Sequence, residues 1–100
     1  MDEIGLYMLE SRIYNMRQWF PDLIIKLSDK KSKKYTAIFT YNNKKYHIDF
    51  GQNGMEDYLM HRDDKRRESF RKRFENEKKD GRLARKYPLS PLFWSYNLLW

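Results

Sequence analysis

Residues 35–50 read YTAIFTYNNKKYHIDF, and this stretch decides the fold. On both sides of Asn42 and Asn43, β-branched and aromatic residues nearly alternate with polar ones, which is the period of two typical of strands. Asn tolerates positive φ better than most residues, so the Asn pair suits a tight two-residue turn. We therefore predict a β-hairpin with strands over residues 35–39 and 45–50.

The residues before the hairpin predict a helix and one more strand. Apolar side chains recur three and four residues apart, at Leu6, Leu9, Ile13, Met16 and Phe20. This spacing is typical of an amphipathic helix, here over roughly 3–19, and Pro21 disfavours helix at the residue before it. Residues 22–28 are short and partly β-branched and predict a strand, and the polar run 29–34 predicts an exposed turn.

The residues after the hairpin predict a long helix and a short aromatic end. Gly51 and Gly54 bracket a turn, and residues 55–79 contain no Gly or Pro and many Glu, Lys and Arg. Such a composition favours helix, which we expect to stop at Asp80-Gly81. Beyond it, Pro88 and Pro91 rigidify the approach to the aromatic segment.

Together these elements predict one α+β domain of 100 residues without repeats or linkers. An amphipathic helix lies within residues 1–21, and a small antiparallel sheet of about three strands, with its hairpin, within residues 22–50. A long basic helix follows over 55–80, and an aromatic tail over 87–100. We expect no secretory signal and no membrane span.

Several classes of chemistry lack their sequence signatures. The chain has no cysteine, which excludes disulfides, thiolate metal sites and cysteine nucleophiles. The glycine patterns of phosphate-binding loops, the HExxH zinc motif and a serine nucleophile elbow are also missing. We therefore predict a non-catalytic protein without a cofactor.

Positive charge is concentrated in two blocks. The chain carries 21 Lys and Arg against 14 Asp and Glu, a formal net charge of +7. Residues 26–50 hold seven Lys against two Asp, and residues 61–86 hold twelve basic against six acidic side chains. Polyanions are therefore the first partners to consider, and nucleic acid would be bound by its backbone and shape, since no sequence-reading motif is present. The candidate binding residues are Lys30, Lys31, Lys33, Lys34, Arg67, Arg71, Lys72 and Lys78.

The long helix has a mixed stripe on one side. Its apolar members are Met55, Tyr58, Leu59, Phe70 and Phe74, and Arg62, Arg66 and Arg73 share or border that side. Either the arginine stems lie along the sheet while their heads reach solvent or pair with acids, or the middle of the stripe leaves the sheet and meets a partner. A second row, made of Arg67, Arg71 and Lys78, is expected to face solvent.

Asp57, His61 and Asp64 occupy positions i, i+4 and i+7 of the predicted helix. Carboxylate and imidazole groups on one helix face are able to bind a metal ion, so these three are weak candidates for a metal site and for a metal-dependent enzyme. The alternative is a histidine paired with carboxylates, or an acid that complements the helix dipole.

The aromatic tail concentrates apolar area where chains usually fray. It must dock either on its own sheet or on another protein. For the second case the candidate partner-binding residues are Phe93, Trp94 and Trp100.

A longer pattern joins the hairpin to the tail. Phe50-Gly51 is followed by Gly-x-x-Asp-Tyr-x-x-His-x-Asp over residues 54–63, a basic helix and a Trp-ended tail. Over residues 35–100 the chain resembles a family of small uncharacterised proteins of the nucleocytoplasmic large DNA viruses, except that Asp49 stands where that family carries His before Phe-Gly. Gly51 and Gly54 would let the chain reverse, so the motif is first a fold signature.

The resemblance implies a viral setting, in the cytoplasmic factory or the virion, and no activity. The first hypothesis is a viral nucleic-acid-binding module. The second is a minor structural protein of the virion or capsid that bridges larger viral subunits.

Overall fold

A computed structural model describes all residues from Met1 to Trp100. It has the predicted α+β class, with an N-terminal helix, a three-stranded antiparallel sheet and further short helices. Its helices are α1 (Glu3–Met16), α2 (Tyr58–His61), α3 (Asp64–Phe74) and α4 (Pro91–Trp94), and its strands are β1 (Ile24–Leu27), β2 (Lys33–Tyr41), β3 (Lys44–Gln52), β4 (Lys78–Lys79) and β5 (Arg82–Leu83). None of these helices is both long and apolar enough to span a bilayer.

The predicted hairpin is confirmed and longer than expected. Asn42 and Asn43 have φ of 50° and 65°, and Tyr41 pairs with Lys44 across them. Positive φ at both central residues is the requirement of a type I′ turn, whose twist matches that of the strands. The strand predicted before it is β1, so the sheet order is β1-β2-β3.

Helix α1 begins at a side-chain cap and ends before the predicted residue 19. The Asp2 carboxylate accepts a hydrogen bond from the Gly5 N–H at 2.8 Å, which satisfies one free donor of the first turn. Gly5 is required by packing, because a Cβ there would lie 2.6 Å from the Leu59 carbonyl oxygen of α2. Leu6 of the predicted apolar stripe is half exposed, whereas Leu9 is buried.

The aromatic tail docks on its own domain. After α4 the chain continues as a π-helical turn, Ser95–Leu99, and this segment packs against β3 on one side and α1 on the other. Trp94, Leu98 and Leu99 are buried there with Phe39 and Phe50 of the sheet. The Trp94 indole N–H donates to the Pro88 carbonyl at 2.8 Å, so its one polar atom is satisfied.

The long helix expected over residues 55–80 is wrong in extent. Arg62 adopts a left-handed conformation with φ 52°, which separates α2 from α3, and α3 ends at Phe74. Asp63 starts the second helix, because its side chain accepts the N–H groups of Lys65 and Arg66. Asp80-Gly81, both with positive φ, form the turn between β4 and β5 instead of a helix end.

Candidate functional site: a basic trough beside helix α3

Helix α3 contacts the tail and leaves a cleft beside it. None of its residues is buried, although it is 11 residues long. The cleft, of about 580 Å³, is bounded by the start of β2, the end of β3, residues 55–57, one side of α3 and the tail. A second cavity of about 440 Å³ lies along the lysine-rich turn before β2. The two cavities share Lys33, Lys34 and Asp57 as lining residues, so they adjoin, and together we call them the basic trough.

A buried ion pair forms the junction of the two cavities. Lys34 Nζ lies 2.7 Å from Asp57 Oδ2, and the side chains are only 14% and 2% exposed. Asp57 is also the N-cap of α2, where Oδ1 accepts the Met60 N–H at 3.2 Å. The pair therefore ties β2 to α2, and removal of one partner would leave the other charge buried and unpaired.

Several other cations of the trough have no acidic partner. Lys33, Lys65 and Arg73 line the larger cavity, and no Asp or Glu oxygen lies within 4.0 Å of their charged nitrogens. Arg66 makes one long ion pair, 3.8 Å to Glu56, in which both side chains are about half exposed. Pairs of this kind contribute little, so these cations remain able to bind an anion.

Three aromatic rings line the trough, Phe70 and Phe74 of α3 and Trp100 of the tail. The Phe70 and Trp100 rings are stacked with centroids 4.1 Å apart and planes 3° from parallel, and Phe74 lies 4.7 Å beyond Phe70. His61 lies 5.3 Å from Trp100 but lines neither cavity. The trough thus combines cations with flat apolar surface.

Four predicted nucleic-acid-binding residues, Lys30, Lys31, Lys33 and Lys34, line the smaller cavity. Lys30 is partly neutralised, because its Nζ lies 3.5 Å from Asp49 Oδ2. The pKa of Asp49 is lowered, first by a hydrogen bond from Thr36 and then by one from Ser28, at 2.5 and 2.8 Å. A carboxylate therefore stands at the position where the resemblance expected histidine.

The other predicted binding residues lie outside the trough. The expectation that Arg67 and Arg71 face solvent is wrong, because both turn toward the tail. Arg67 Nε donates to the main-chain oxygen of Trp100 at 2.6 Å, and Arg71 donates to that of Tyr96 at 3.3 Å and lies 4.4 Å from the centre of its ring. Lys72 and Lys78 are exposed but line neither cavity.

The candidate metal residues do not converge. Asp57 is committed to Lys34, and Asp64 Oδ1 accepts the Tyr58 hydroxyl at 2.7 Å. His61 Nδ1 accepts the Asp63 N–H at 2.9 Å, while its buried Nε2 has no partner. The left-handed Arg62 breaks the helix that would have aligned the three, and no group of three His, Cys, Asp or Glu side chains is arranged to hold a metal ion.

The candidate partner-binding residues of the tail are mostly used inside the domain. Trp94 is fully buried, so its assignment as a partner contact is wrong. Phe93 is partly buried and packs edge-on against Phe20 and Trp94. Trp100 is also partly buried, and it is the one of the three that lines the trough.

The residues of α3 that face the trough recur at spacings of three and four: Lys65, Arg66, Ser69, Phe70, Arg73 and Phe74. The mixed stripe read from the sequence contains four of these six. Arg66 and Arg73 line the cleft, in line with the second interpretation, in which the middle of the stripe leaves the sheet, whereas Arg62 pairs with Asp2, as the first interpretation expects. That a partner meets the stripe stays a prediction. The sequence thus contained a pattern that indicates Arg66 and Arg73, although the predicted binding residues were their neighbours Arg67 and Arg71.

Comparison with known proteins gives a family without an assigned activity. The model described as "Family of unknown function (DUF5754)" matches residues 23–74, and the chain belongs to this family. The matched region runs from the residue before β1 to the end of α3 and so includes most of the trough. No curated protein and no solved structure matches the chain.

Proposed function

We propose that this member of the DUF5754 family is a non-catalytic nucleic-acid-binding protein, and that it binds the phosphate backbone in the basic trough. One observation carries the proposal: the two cavities adjoin at Lys33 and Lys34, so both basic blocks of the sequence line one continuous surface. Phosphate neutralisation by Lys and Arg on one accessible face is the main source of affinity for nucleic acids.

The electrostatics of the trough support a polyanion over a single anion. Its unpaired cations are spread over the turn before β2 and the length of α3, instead of converging on one point. A chain of phosphates matches such a row, because each phosphate releases counterions where it meets a cation.

The test measures binding of a fluorescently labelled oligonucleotide by anisotropy between 50 and 200 mM salt, about the range over which phosphate contacts lose affinity steeply. The double variant Lys33→Gln/Lys65→Gln removes two unpaired cations from the trough. We expect weaker binding and a salt slope smaller by about 1.4, from about 0.7 for each phosphate contact to a single strand.

The matched control is Lys44→Gln/Lys86→Gln. Both lysines are exposed, have no acidic partner and lie outside the trough. This variant has the same net charge as the first, so it should keep most of the affinity and of the slope. Equal losses in the two variants, or no binding by the wild type at 50 mM salt, would contradict the proposal.

The second candidate is a structural protein of a virion, which one observation favours. Three aromatic side chains of the N-terminal region, Tyr7, Tyr14 and Trp19, are 72%, 72% and 76% exposed. Large exposed aromatic side chains are typical of protein contacts. Sedimentation of the wild type and of Tyr7→Ser/Tyr14→Ser, alone and with acidic capsid subunits, tests this role, and a monomer that ignores those subunits would count against it.

The proposal includes a viral origin of the nucleic acid. Under the resemblance given above, the nucleic acid would be viral and the location a cytoplasmic factory or the virion. Localisation of the tagged protein in infected cells tests this setting independently of binding.

A further inference from the structure

We infer that the trough takes single-stranded nucleic acid and stacks an unpaired base on Phe74. The inference rests on the proposed function, because it specifies the form of the polyanion that the trough binds. It comes from the position of the aromatic rings relative to the free cations.

The rings form a series of neighbours that ends at Phe74. Successive centroids from His61 to Trp100, Phe70 and Phe74 lie 5.3, 4.1 and 4.7 Å apart. Phe70, Phe74 and Trp100 are all partly exposed and line the cavity, but Phe70 and Trp100 already face each other, whereas Phe74 is the last ring of the series. The Phe74 plane is tilted by 52° from that of Phe70, so a planar base placed against Phe74 would add one more ring contact at this end.

Arg73 supplies a cation at this end of the series. Its guanidinium carbon lies 4.8 Å from the centre of the Phe74 ring, and the side chain is exposed and has no acidic partner. A guanidinium in this position either stacks on a base or binds the adjoining phosphate. The two neighbouring residues Arg73 and Phe74 therefore offer one nucleotide a cation and an aromatic ring.

The cleft has room for an unpaired base, which a single strand offers and a duplex does not. Its volume of about 580 Å³ lies in the range of about 300–1,000 Å³ of pockets for small ligands, so it admits a nucleotide or two. A duplex keeps its base faces inside its own stack and offers only phosphates to the trough. Stacking on aromatic rings is tolerant of sequence, because every base has a π-face.

The experiment compares one labelled oligonucleotide as a single strand and as a duplex, with the wild type, Phe74→Leu and Phe74→Tyr. Leu keeps apolar volume without a π-face, and Tyr keeps the ring. We expect the wild type to prefer the single strand, Phe74→Leu to lose about fivefold or more of single-strand affinity with an unchanged salt slope, and Phe74→Tyr to retain it.

Tyr87→Leu is the matched control. Tyr87 is a partly exposed ring with the guanidinium of Arg82 5.0 Å from its centre, the same arrangement at a site outside the trough. Its loss should leave single-strand binding unchanged. Thermal unfolding of each variant checks that the comparison is made between folded proteins.

The outcomes distinguish the inference from the proposed function. Equal affinity for both forms, or no effect of Phe74→Leu, combined with a steep salt dependence would overturn the single-strand inference and leave the phosphate-binding function standing. An absence of binding to either form at low salt would overturn both. Tight binding of a mononucleotide with no gain from a longer strand would replace the polymer by a free nucleotide and would also overturn the inference.

Discussion

The two sides of helix α3 carry the same residue type and use it differently. On one side, Arg67 and Arg71 donate hydrogen bonds to main-chain oxygens of the tail. On the other side, Arg66 and Arg73 line the trough, one with a long ion pair to Glu56 and one with no acidic partner. The groups that face each arginine decide its role. Carbonyl oxygens of the packed tail bind the first pair, whereas the second pair faces the open cleft and makes only one long ion pair.

This difference explains how a helix without a buried residue is held in place. A guanidinium presents several N–H donors in a fixed plane, so one side chain both satisfies a carbonyl and covers an aromatic ring. Arg67 lies 4.9 Å from the centre of the Tyr58 ring as well as bonding to Trp100. These contacts to the tail, together with the stack of Phe70 on Trp100, thus hold α3 in place.

The largest expected effect comes from disturbing the packing of the tail on β3. Gly51 has φ 76°, and a Cβ there would lie 2.8 Å from Leu99 Cδ1, whereas Gly54 has φ 87° with nothing within 4 Å of a Cβ. Both Ala substitutions strain the backbone, but only Gly51→Ala also displaces the tail. We expect losses in the free energy of unfolding of about 3 kcal/mol for Gly51→Ala and about 1 kcal/mol for Gly54→Ala in urea titrations.

Equal losses at the two glycines would mean that Leu99 does not press on Gly51. The tail would then not be the tightly packed segment to which Arg67 and Arg71 are argued to bind.

A smaller effect compares the two sides of α3 directly. Arg67→Ala removes a hydrogen bond from a charged donor and a contact with an aromatic ring, and we expect it to lower the free energy of unfolding by about 1.5 kcal/mol. Arg66→Ala removes only an exposed ion pair and should change it by less than about 0.5 kcal/mol. Chemical denaturation measures both, and a reversed order would show that the assignment of the two sides is wrong.

The smallest effect concerns the ion pair between Asp2 and Arg62, the residue between α2 and α3. Arg62 Nη2 lies 2.7 Å from Asp2 Oδ2, and this contact, with the Gly5 N–H, lowers the pKa of Asp2 from 3.8 to about 2. Because the folded pKa lies below the unfolded value, the stabilisation is present above about pH 4 and is lost as the pH falls toward 2.

Melting temperatures at pH 5, 3 and 2 test this ion pair. The deficit of Asp2→Asn relative to the wild type should shrink as the pH falls. Glu10→Gln, an exposed acid on the same helix without an ion pair, should follow the wild type at every pH. A deficit of Asp2→Asn that does not change with pH would show that the carboxylate charge does not act there.

Local chemistry made much of the fold predictable. The period of two and the Asn pair predicted the hairpin, and its turn has the expected positive φ at both Asn42 and Asn43. The apolar stripe predicted α1, because Leu9, Ile13 and Met16 do face the core. The long helix was wrong because composition does not show that Asp63 begins a new helix or that Asp80-Gly81 turns a hairpin; both effects depend on single side chains and single φ angles.

The candidate site was less predictable for a different reason. The sequence indicated two basic blocks and a mixed stripe on the helix, and the lysine-rich turn does line the trough. It did not show which row of arginines faces the tail, because that depends on where the tail docks. Neighbouring rows of one exposed helix look alike until another segment covers one of them.

The sequence by itself determined the α+β class, the hairpin and its turn, and the presence of two basic blocks, because these depend on residue types and short spacings. Only the tertiary structure decided that the tail lies between α1 and the sheet, that Lys34 is paired with Asp57, and that α3 turns one pair of arginines inward and the other toward an open cleft. The physical reason is that a charge acquires its role from the group placed opposite it, and here those groups come from segments distant in the chain.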